Sequence, residues 1–372
     1  MFRILVNGIS AKSGGGRSIL SNFLEILKSR DSSYTFSVIV PDDSYSQYAS
    51  DHIQLIPMPV FSHSYLLPFI NSFYLPKFIL KNSYDCIFNL ADIPIPIKSK
   101  QIFLFDWSYA VFPDSLAWQR ASFINTIRRR LKLFLFQRYV SYIDVVIAQS
   151  ILIGDRLNAL YNFSRLQVIP NAVALDNLNE GESFDYAFGS GFKLLCLSNY
   201  YSHKNLEVLI DLAELIRSKS LDIKIILTID SAQGKGARRL IESIVDRKLD
   251  EVIINVGSVP MSLVPSLYQQ VDALLLPTLL ESFSGTYVEA MFHGIPIFTS
   301  EFDFAIDVCQ DAAFYFDPLN SHDILKAIVH AIDHRELIVE KVAAGRSRLA
   351  SLPDWNRAFD AYMALIDKTL AD

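Results

Sequence analysis

The chain reads as two doubly wound α/β domains in tandem, and three observations carry that reading. Its 372 residues exceed one ordinary core, since domains cluster at about 100 to 150 residues. A hydrophobic fraction of 51% suffices for two packed cores and excludes a disordered chain. Short apolar runs alternate with amphipathic ones along the whole length, which marks a parallel sheet covered by helices on both faces.

The first domain is assigned to 1–175. Its runs 4–6, 35–40, 86–89, 101–105 and 145–148 are short, apolar and rich in branched or aromatic residues, as buried parallel strands are. Between the first two lies a helix over 18–28, where Ile19, Phe23, Ile26 and Leu27 recur at helical spacing. A polar stretch containing Asn177, Asn179, Gly181, Gly189 and Gly191 is read as a linker over 176–191. The alternation restarts in a second domain over 192–352. Strands are expected at 193–197, 223–229, 252–256, 273–276 and 295–298, and helices at 205–217, 237–245, 263–269 and 286–292. The final stretch 353–372, with Phe359, Tyr362, Met363, Leu365 and Ile366, reads as an amphipathic helix.

Charge and cysteine usage narrow the classes of function. A net charge of −6 argues against a general nucleic-acid binder. Cys86, Cys196 and Cys309 are widely separated and lack metal-ligand spacing, which fits a reducing cytoplasm. The first residues have no signal-peptide layout and run straight into a glycine-rich segment. No run of about 18 apolar residues occurs, so any membrane contact is expected to be peripheral.

Ligands of open parallel sheets bind outside the carboxyl ends of the strands, so motifs at strand-to-helix junctions carry weight. The segment Ser13-Gly14-Gly15-Gly16-Arg17-Ser18 follows the first strand and opens a helix, where bare backbone N–H groups can meet an anion. An ordinary flexible turn is the competing reading. The segment has neither the G-x-G-x-x-G spacing of dinucleotide folds nor the lysine of a phosphate loop. A second junction, from Leu276 to Met291, places Glu281 before a loop of Ser282, Phe283, Ser284, Gly285 and Thr286, and Glu289 in the helix that follows. Two carboxylates flanking a helix N-terminus suit a sugar nucleotide: N–H groups for the diphosphate, Glu281 for sugar hydroxyls, Glu289 for those of the ribose. The plain alternative makes Glu281 a capping acid and Glu289 a solvated helix residue.

The Glu281-x7-Glu289 pair, followed by Ala290-Met291 and Gly294-Ile295-Pro296-Ile297, resembles the family 4 retaining glycosyltransferases, whose fold is GT-B: two Rossmann-like domains facing a central cleft. The likeness extends to Val146-Ile147-Ala148-Gln149-Ser150, to Val168-Ile169-Pro170-Asn171-Ala172-Val173, and to Val256-Gly257-Ser258-Val259 beside the nucleobase. Leu197-Ser198-Asn199 through Lys204-Asn205 is similar to the family's Gly-Arg, four residues, Lys-Gly pattern, with Asn199 in the arginine's place. Lys204 must then carry more of the charge neutralisation, and Arg17, Lys235 and Arg238 are candidates for the rest. Phe105-Asp106-Trp107 stands where the family often has His-Asp, which leaves Asp106 as the first-domain candidate. Ser282 and Ser284 replace commoner glycines.

The resemblance implies a retaining, metal-independent hexosyl transfer without further cofactor. Lys204, Glu281 and Asp106 are its candidate catalytic residues, and Gly15, Gly16, Arg17, Asn199, Gly257, residues 282–286 and Glu289 its donor contacts. It also implies that the last helix crosses back onto the first domain. The expected partners are a nucleotide-sugar and a glycan or undecaprenyl-diphosphate-linked oligosaccharide acceptor, as in O-antigen or capsule synthesis. Other activities on sugar nucleotides, epimerisation or hydrolysis, and a non-catalytic binding protein remain as alternatives. The segment 118–140 contains Arg120, Arg128, Arg129, Arg130, Lys132 and Arg138, no acid, and Ile124, Ile127, Leu131 and Phe134 at helical spacing. Such a helix either lies on the anionic inner face of the cytoplasmic membrane or packs its apolar side on the domain's own sheet. The aromatic stretch from Phe61 to Leu75 carries the same two readings, lipid or acceptor contact against core.

Overall fold

The computed structural model describes residues 2–63, 65–172 and 182–372, so the linker reading falls, for 176–181, outside the described residues. The chain divides into two compact units. One comprises Met1–Pro113, Ser122–Ala172 and Pro353–Asp372; the other comprises Asp114–Ala121 and Val173–Leu352. The short segment Asp114–Ala121 thus belongs with the second unit, inside what the sequence reads as the first domain.

The first unit is built on seven parallel strands: β1 Arg3–Asn7, β2 Thr35–Val40, β3 Ile53–Pro57, β4 Cys86–Asn89, β5 Lys100–Leu104, β6 Val145–Ala148 and β7 Leu166–Val168, in the order β3-β2-β1-β4-β5-β6-β7. Central strands β4 and β6 are buried along their length, as parallel strands between two helical layers must be. The helix Gly14–Ser29 buries Ile19, Leu20, Phe23, Leu24 and Leu27 on one face, the spacing of a core-facing stripe. Phe23 meets Phe88 at 5.4 Å and Phe359 at 5.2 Å between ring centroids. Phe359 belongs to the helix Trp355–Ala371, which is capped by Asp354 accepting from the Arg357 N–H at 2.8 Å. Tyr34 donates to Asp367 on the same helix. Asn7 and Asn89, at the carboxyl ends of β1 and β4, and Gln101, near the start of β5, are fully buried and bonded in a chain, each link 3.0 Å. Gln101 continues it to the carbonyls of Ile95 and Tyr142. A buried polar row of this kind holds only when every member is satisfied, and here it fixes the loop after β4.

The second unit carries six parallel strands: β8 Phe192–Cys196, β9 Ile223–Leu227, β10 Ile253–Asn255, β11 Ala273–Leu276, β12 Ile297–Ser300 and β13 Ala313–Phe316, in the order β10-β9-β8-β11-β12-β13. Chain direction across the sheet reverses between β8 and β11. In the first unit it reverses between β1 and β4. Ligands of such sheets settle at the switch point, outside the strand carboxyl ends.

The basic helix runs over Phe123–Tyr139, starting later than expected because Ser122 caps it, accepting from the Asn125 N–H. Its packing corrects one of the two readings. Ile124, Ile127, Leu131 and Phe134 are exposed and do not cover the sheet. Phe136 faces inward instead, against Phe103, Phe105 and Tyr161 at 5.1 to 5.8 Å. The aromatic stretch is divided: Ile70 and Leu75 enter the core with Phe61 and Leu66 packed on it, whereas Tyr65, Phe69 and Phe73 stay exposed.

Candidate functional site

The switch point of the second unit is where two loops are stitched together. After β8 the chain passes Asn199 and turns through Ser202–Lys204 into Asn205, whose φ of +56° is left-handed. The buried Asn205 side chain holds that turn by donating to the carbonyls of Pro277 at 3.2 Å and Pro318 at 2.8 Å. From the other side, the Leu279 N–H donates to the His203 carbonyl at 2.7 Å, and the Thr278 hydroxyl to the same carbonyl at 3.2 Å. These bonds bring Lys204, after β8, against Glu281, after β11.

Lys204 Nζ lies 2.5 Å from Glu281 Oε1, with side chains 15% and 11% exposed, so the pair is largely removed from water. The Thr278 hydroxyl donates to the same carboxylate oxygen at 2.9 Å. Burial pushes the Glu281 pKa up, but the Lys204 ammonium, the nearby His203 and the hydrogen bonds from Lys204 and Thr278 outweigh it and hold the carboxyl below its usual value. Glu281 is therefore ionised, and its charge is matched.

Immediately beyond, the helix Gly285–His293 opens with no acid in its first turn and no side-chain cap. The Ser284 hydroxyl pairs with that of Thr286 at 2.7 Å and not with the backbone. The helix ends at Gly294, whose φ of +67° terminates it with backbone bonds to Ala290 and Met291. On this helix Glu289 accepts from the Tyr268 hydroxyl at 3.0 Å. Burial raises the Glu289 pKa, and that bond opposes the rise only in part. His293, the last residue of this helix, stacks on the Tyr268 ring at 4.6 Å, and burial lowers its pKa, which favours the neutral imidazole.

Asn199 is held by Gln233, whose amide donates to its side-chain oxygen at 2.8 Å and accepts from the Tyr200 N–H at 2.7 Å. The same amide reaches Ser258, beside Gly257, at 3.4 Å. Gln233 thus ties the loops after β8, β9 and β10. Of the proposed substitutes for the missing charge, Lys235 and Arg238 are exposed on the following helix, and it is Gln233 that engages Asn199. Gly236, in that helix, is overlaid by the Tyr200 ring: a Cβ there would sit 2.3 Å from it. Gln233, Gly236, Tyr268 and Thr278 were not singled out from sequence. Only Thr278, three residues before Glu281 in the same motif, offered a local signal.

The remaining candidates lie in the first unit, at the ends of its own central strands. Gly14, Gly15 and Gly16 form the first turn of a helix and not a loop before it. Asp106, after β5, accepts from the Gln149 amide at 3.2 Å, and its other oxygen lies 3.9 Å from where a Cβ on Gly15 would stand. Arg17 is exposed, with its guanidinium 5.7 Å from the Tyr45 ring centre. Two residues join Asp106: Lys132, which the sequence offered only as one cation of the basic helix and which pairs with Asp92 and lies 4.2 Å over the Trp107 ring, and Asp92 itself, which the sequence did not single out. The candidates therefore form two groups, Lys204 with Glu281 in one unit and Gly15 with Asp106 in the other.

Residues 182–348, which contain the loops of the Lys204–Glu281 group, match the family Glycosyl transferases group 1. This segment is a group 1 glycosyltransferase domain. A sequence search of curated proteins found no match. Solved structures similar over the whole chain include sucrose-phosphate synthase from Thermosynechococcus elongatus, with TM-score 0.75, 14% identity and 100% of both chains covered. Anabaena HepE in complex with UDP and glucose gives 0.72 at 16% identity, over 99% of this chain and 100% of the other. WaaG, a glycosyltransferase involved in lipopolysaccharide biosynthesis, gives 0.69 at 13% identity, over 97% and 98%. At these identities the likeness establishes the fold, which is GT-B. Within the glycosyltransferase domain, the Lys204–Glu281 pair, the uncapped helix at Gly285 and Glu289 occupy the sheet's switch point.

Proposed function

We propose that the protein is a retaining glycosyltransferase that moves a hexosyl group from a nucleotide-sugar to a glycan or lipid-linked oligosaccharide acceptor without a metal ion. The observation that carries the proposal is the desolvated Lys204–Glu281 pair set directly before the helix N-terminus at Gly285. As the sugar–phosphate bond breaks, negative charge grows on the departing diphosphate while the sugar becomes cationic. The ammonium and the helix N–H groups oppose the first charge, which is where preorganised dipoles act most strongly. Before donor arrives, Glu281 balances Lys204. An incoming diphosphate takes over the ammonium and releases Glu281 to accept hydroxyls of the sugar. Glu289, oriented by Tyr268, accepts from the ribose. Asn199, held by Gln233, adds hydrogen bonds without charge.

Retention follows in this reading from same-face displacement, in which the acceptor hydroxyl passes its proton to the leaving phosphate oxygen as the new glycosidic bond forms. No protein nucleophile is required, and Glu281 positions the sugar. Asp106 serves the acceptor from the first unit. HepE is described with UDP-glucose, so uridine donors are the first to test. We place the reaction in surface polysaccharide synthesis, O-antigen or capsule, with an undecaprenyl-diphosphate-linked acceptor at the inner face of the cytoplasmic membrane. The test is transfer from UDP-sugars to a short-chain lipid diphosphate oligosaccharide in EDTA, with the product's anomeric configuration read by proton NMR. Retention supports the proposal; inversion, or release of free sugar as the only product, rejects it.

A further inference from the structure

We propose that the outer face of the helix Phe123–Tyr139 docks the first unit onto an anionic lipid bilayer. The inference rests on the preceding reading only in expecting a lipid-linked acceptor; the surface itself is argued from its own residues. A helix on a globular unit ordinarily turns its apolar stripe inward and its charges outward. This one turns its apolar stripe outward. Phe123, Ile124, Ile127, Leu131 and Phe134 are between 46% and 80% exposed. At about 100° per residue they occupy one arc of roughly 100°. The inward side is held by Phe136 and by two cations that the unit itself neutralises or stacks: Lys132 on Asp92 and Trp107, and Arg129 at 4.1 Å over the Tyr109 ring. The stripe therefore contributes little to folding.

Neighbouring structure extends it. The turn Leu67–Phe69 lies near this helix, and Phe69 and Phe73, 5.4 Å apart between ring centroids, are exposed as well. A contiguous exposed apolar surface marks an interaction site. Charge decides the occupant. The helix contains no acidic residue in a chain of net charge −6, and the exposed Arg128, Arg130 and Arg138 border or interrupt the stripe. A second copy meeting this face about a two-fold axis would set arginine against arginine. An anionic bilayer instead accepts the side chains among its acyl chains and the guanidinium groups among its headgroups. Among the described residues, no helix is long and apolar enough to cross a membrane, so the contact is interfacial.

Each basic residue near such a surface strengthens binding about five-fold, so R128S/R130S/R138S should weaken partitioning by about a hundred-fold. All three side chains are exposed, which leaves the fold intact. The experiment is sedimentation of the full chain with vesicles of phosphatidylcholine alone or mixed with phosphatidylglycerol. Binding only to the mixed vesicles, weakened by added salt, lost in R128S/R130S/R138S and in I127D/L131D, is the expected result. Nucleotide-induced thermal shifts should remain wild-type in both variants, which separates this inference from the donor-site reading. A wild type that stays in the supernatant with anionic vesicles, or variants that sediment as it does, overturns the inference. So does a solution dimer that I127D/L131D dissolves while vesicles leave the wild type unbound, since the face then belongs to a second copy.

Discussion

Replacing Lys204 with alanine should destabilise the second unit in a way that depends on pH. The change leaves Glu281 in a site 11% exposed with the Thr278 hydroxyl as its closest remaining donor. Removing one partner of a buried pair costs about 3–5 kcal/mol, but the carboxylate can escape part of that by taking a proton. Protonation costs about 1.36 kcal/mol per pH unit above an unfolded value of about 4.3. The loss is therefore capped at roughly 4 kcal/mol at about pH 7.5 and roughly 1.6 kcal/mol at about pH 5.5. The sign differs from wild type. In wild type the folded pKa of Glu281 is lowered, so its stabilisation is present above the unfolded value and lost as pH falls. In K204A burial acts with far less opposition, the folded pKa is raised, and stability is lost as pH rises. Urea unfolding at the two pH values measures this directly, and K204A/E281A should regain part of the loss at the higher pH. Equal losses at both pH values, or a double variant no more stable than K204A, would refute the buried-pair argument.

Four further outcomes follow from the geometry. Y268F should raise the donor KM about ten-fold with little change in kcat, because Glu289 loses the bond that orients it; an unchanged KM dismisses that role. Burial raises the Glu289 pKa, so nucleoside diphosphate affinity should already weaken with falling pH above the ordinary carboxylate range, and E289Q should flatten that profile in calorimetric titration. D106N should lower transfer by about 10² or more while leaving nucleotide binding unchanged; a parallel loss of nucleotide binding would assign Asp106 elsewhere. G236A places a methyl inside the Tyr200 ring contact, so donor affinity should fall by about ten-fold through displacement of the Asn199 loop, and wild-type affinity contradicts that linkage.

The fold class was legible because parallel strands buried on both faces, such as β4 and β6, announce themselves as continuous apolar runs. The strands overlooked were β3, β7 and β13. All three sit at sheet edges, and β3, with Gln54 and Pro57, alternates between buried and open positions. Glu281 and Glu289 were legible as a spacing within one motif. Lys204 was legible through the family resemblance, but its pairing with Glu281 was not: the two lie 77 residues apart, and only the strand order that makes β8 and β11 neighbours brings them together. Gln233 and Tyr268 are single polar residues whose roles depend on which loops their strands feed, and no local pattern encodes that. The basic helix showed its amphipathic character plainly. Its orientation was hidden, since an apolar stripe by itself gives no sign that Phe136, with Lys132 and Arg129, will hold the helix inward.

The donor site is tested most directly by thermal unfolding with a panel of nucleoside diphosphates and their sugar conjugates, run in EDTA on the wild type and K204A. One nucleotide should stabilise the wild type, by about 2.7 kcal/mol at a hundred times its Kd, and should lose nearly all of that effect in K204A. Absence of any shift in the wild type, or the same shift in both proteins, would contradict a diphosphate site built on Lys204 and the helix at Gly285.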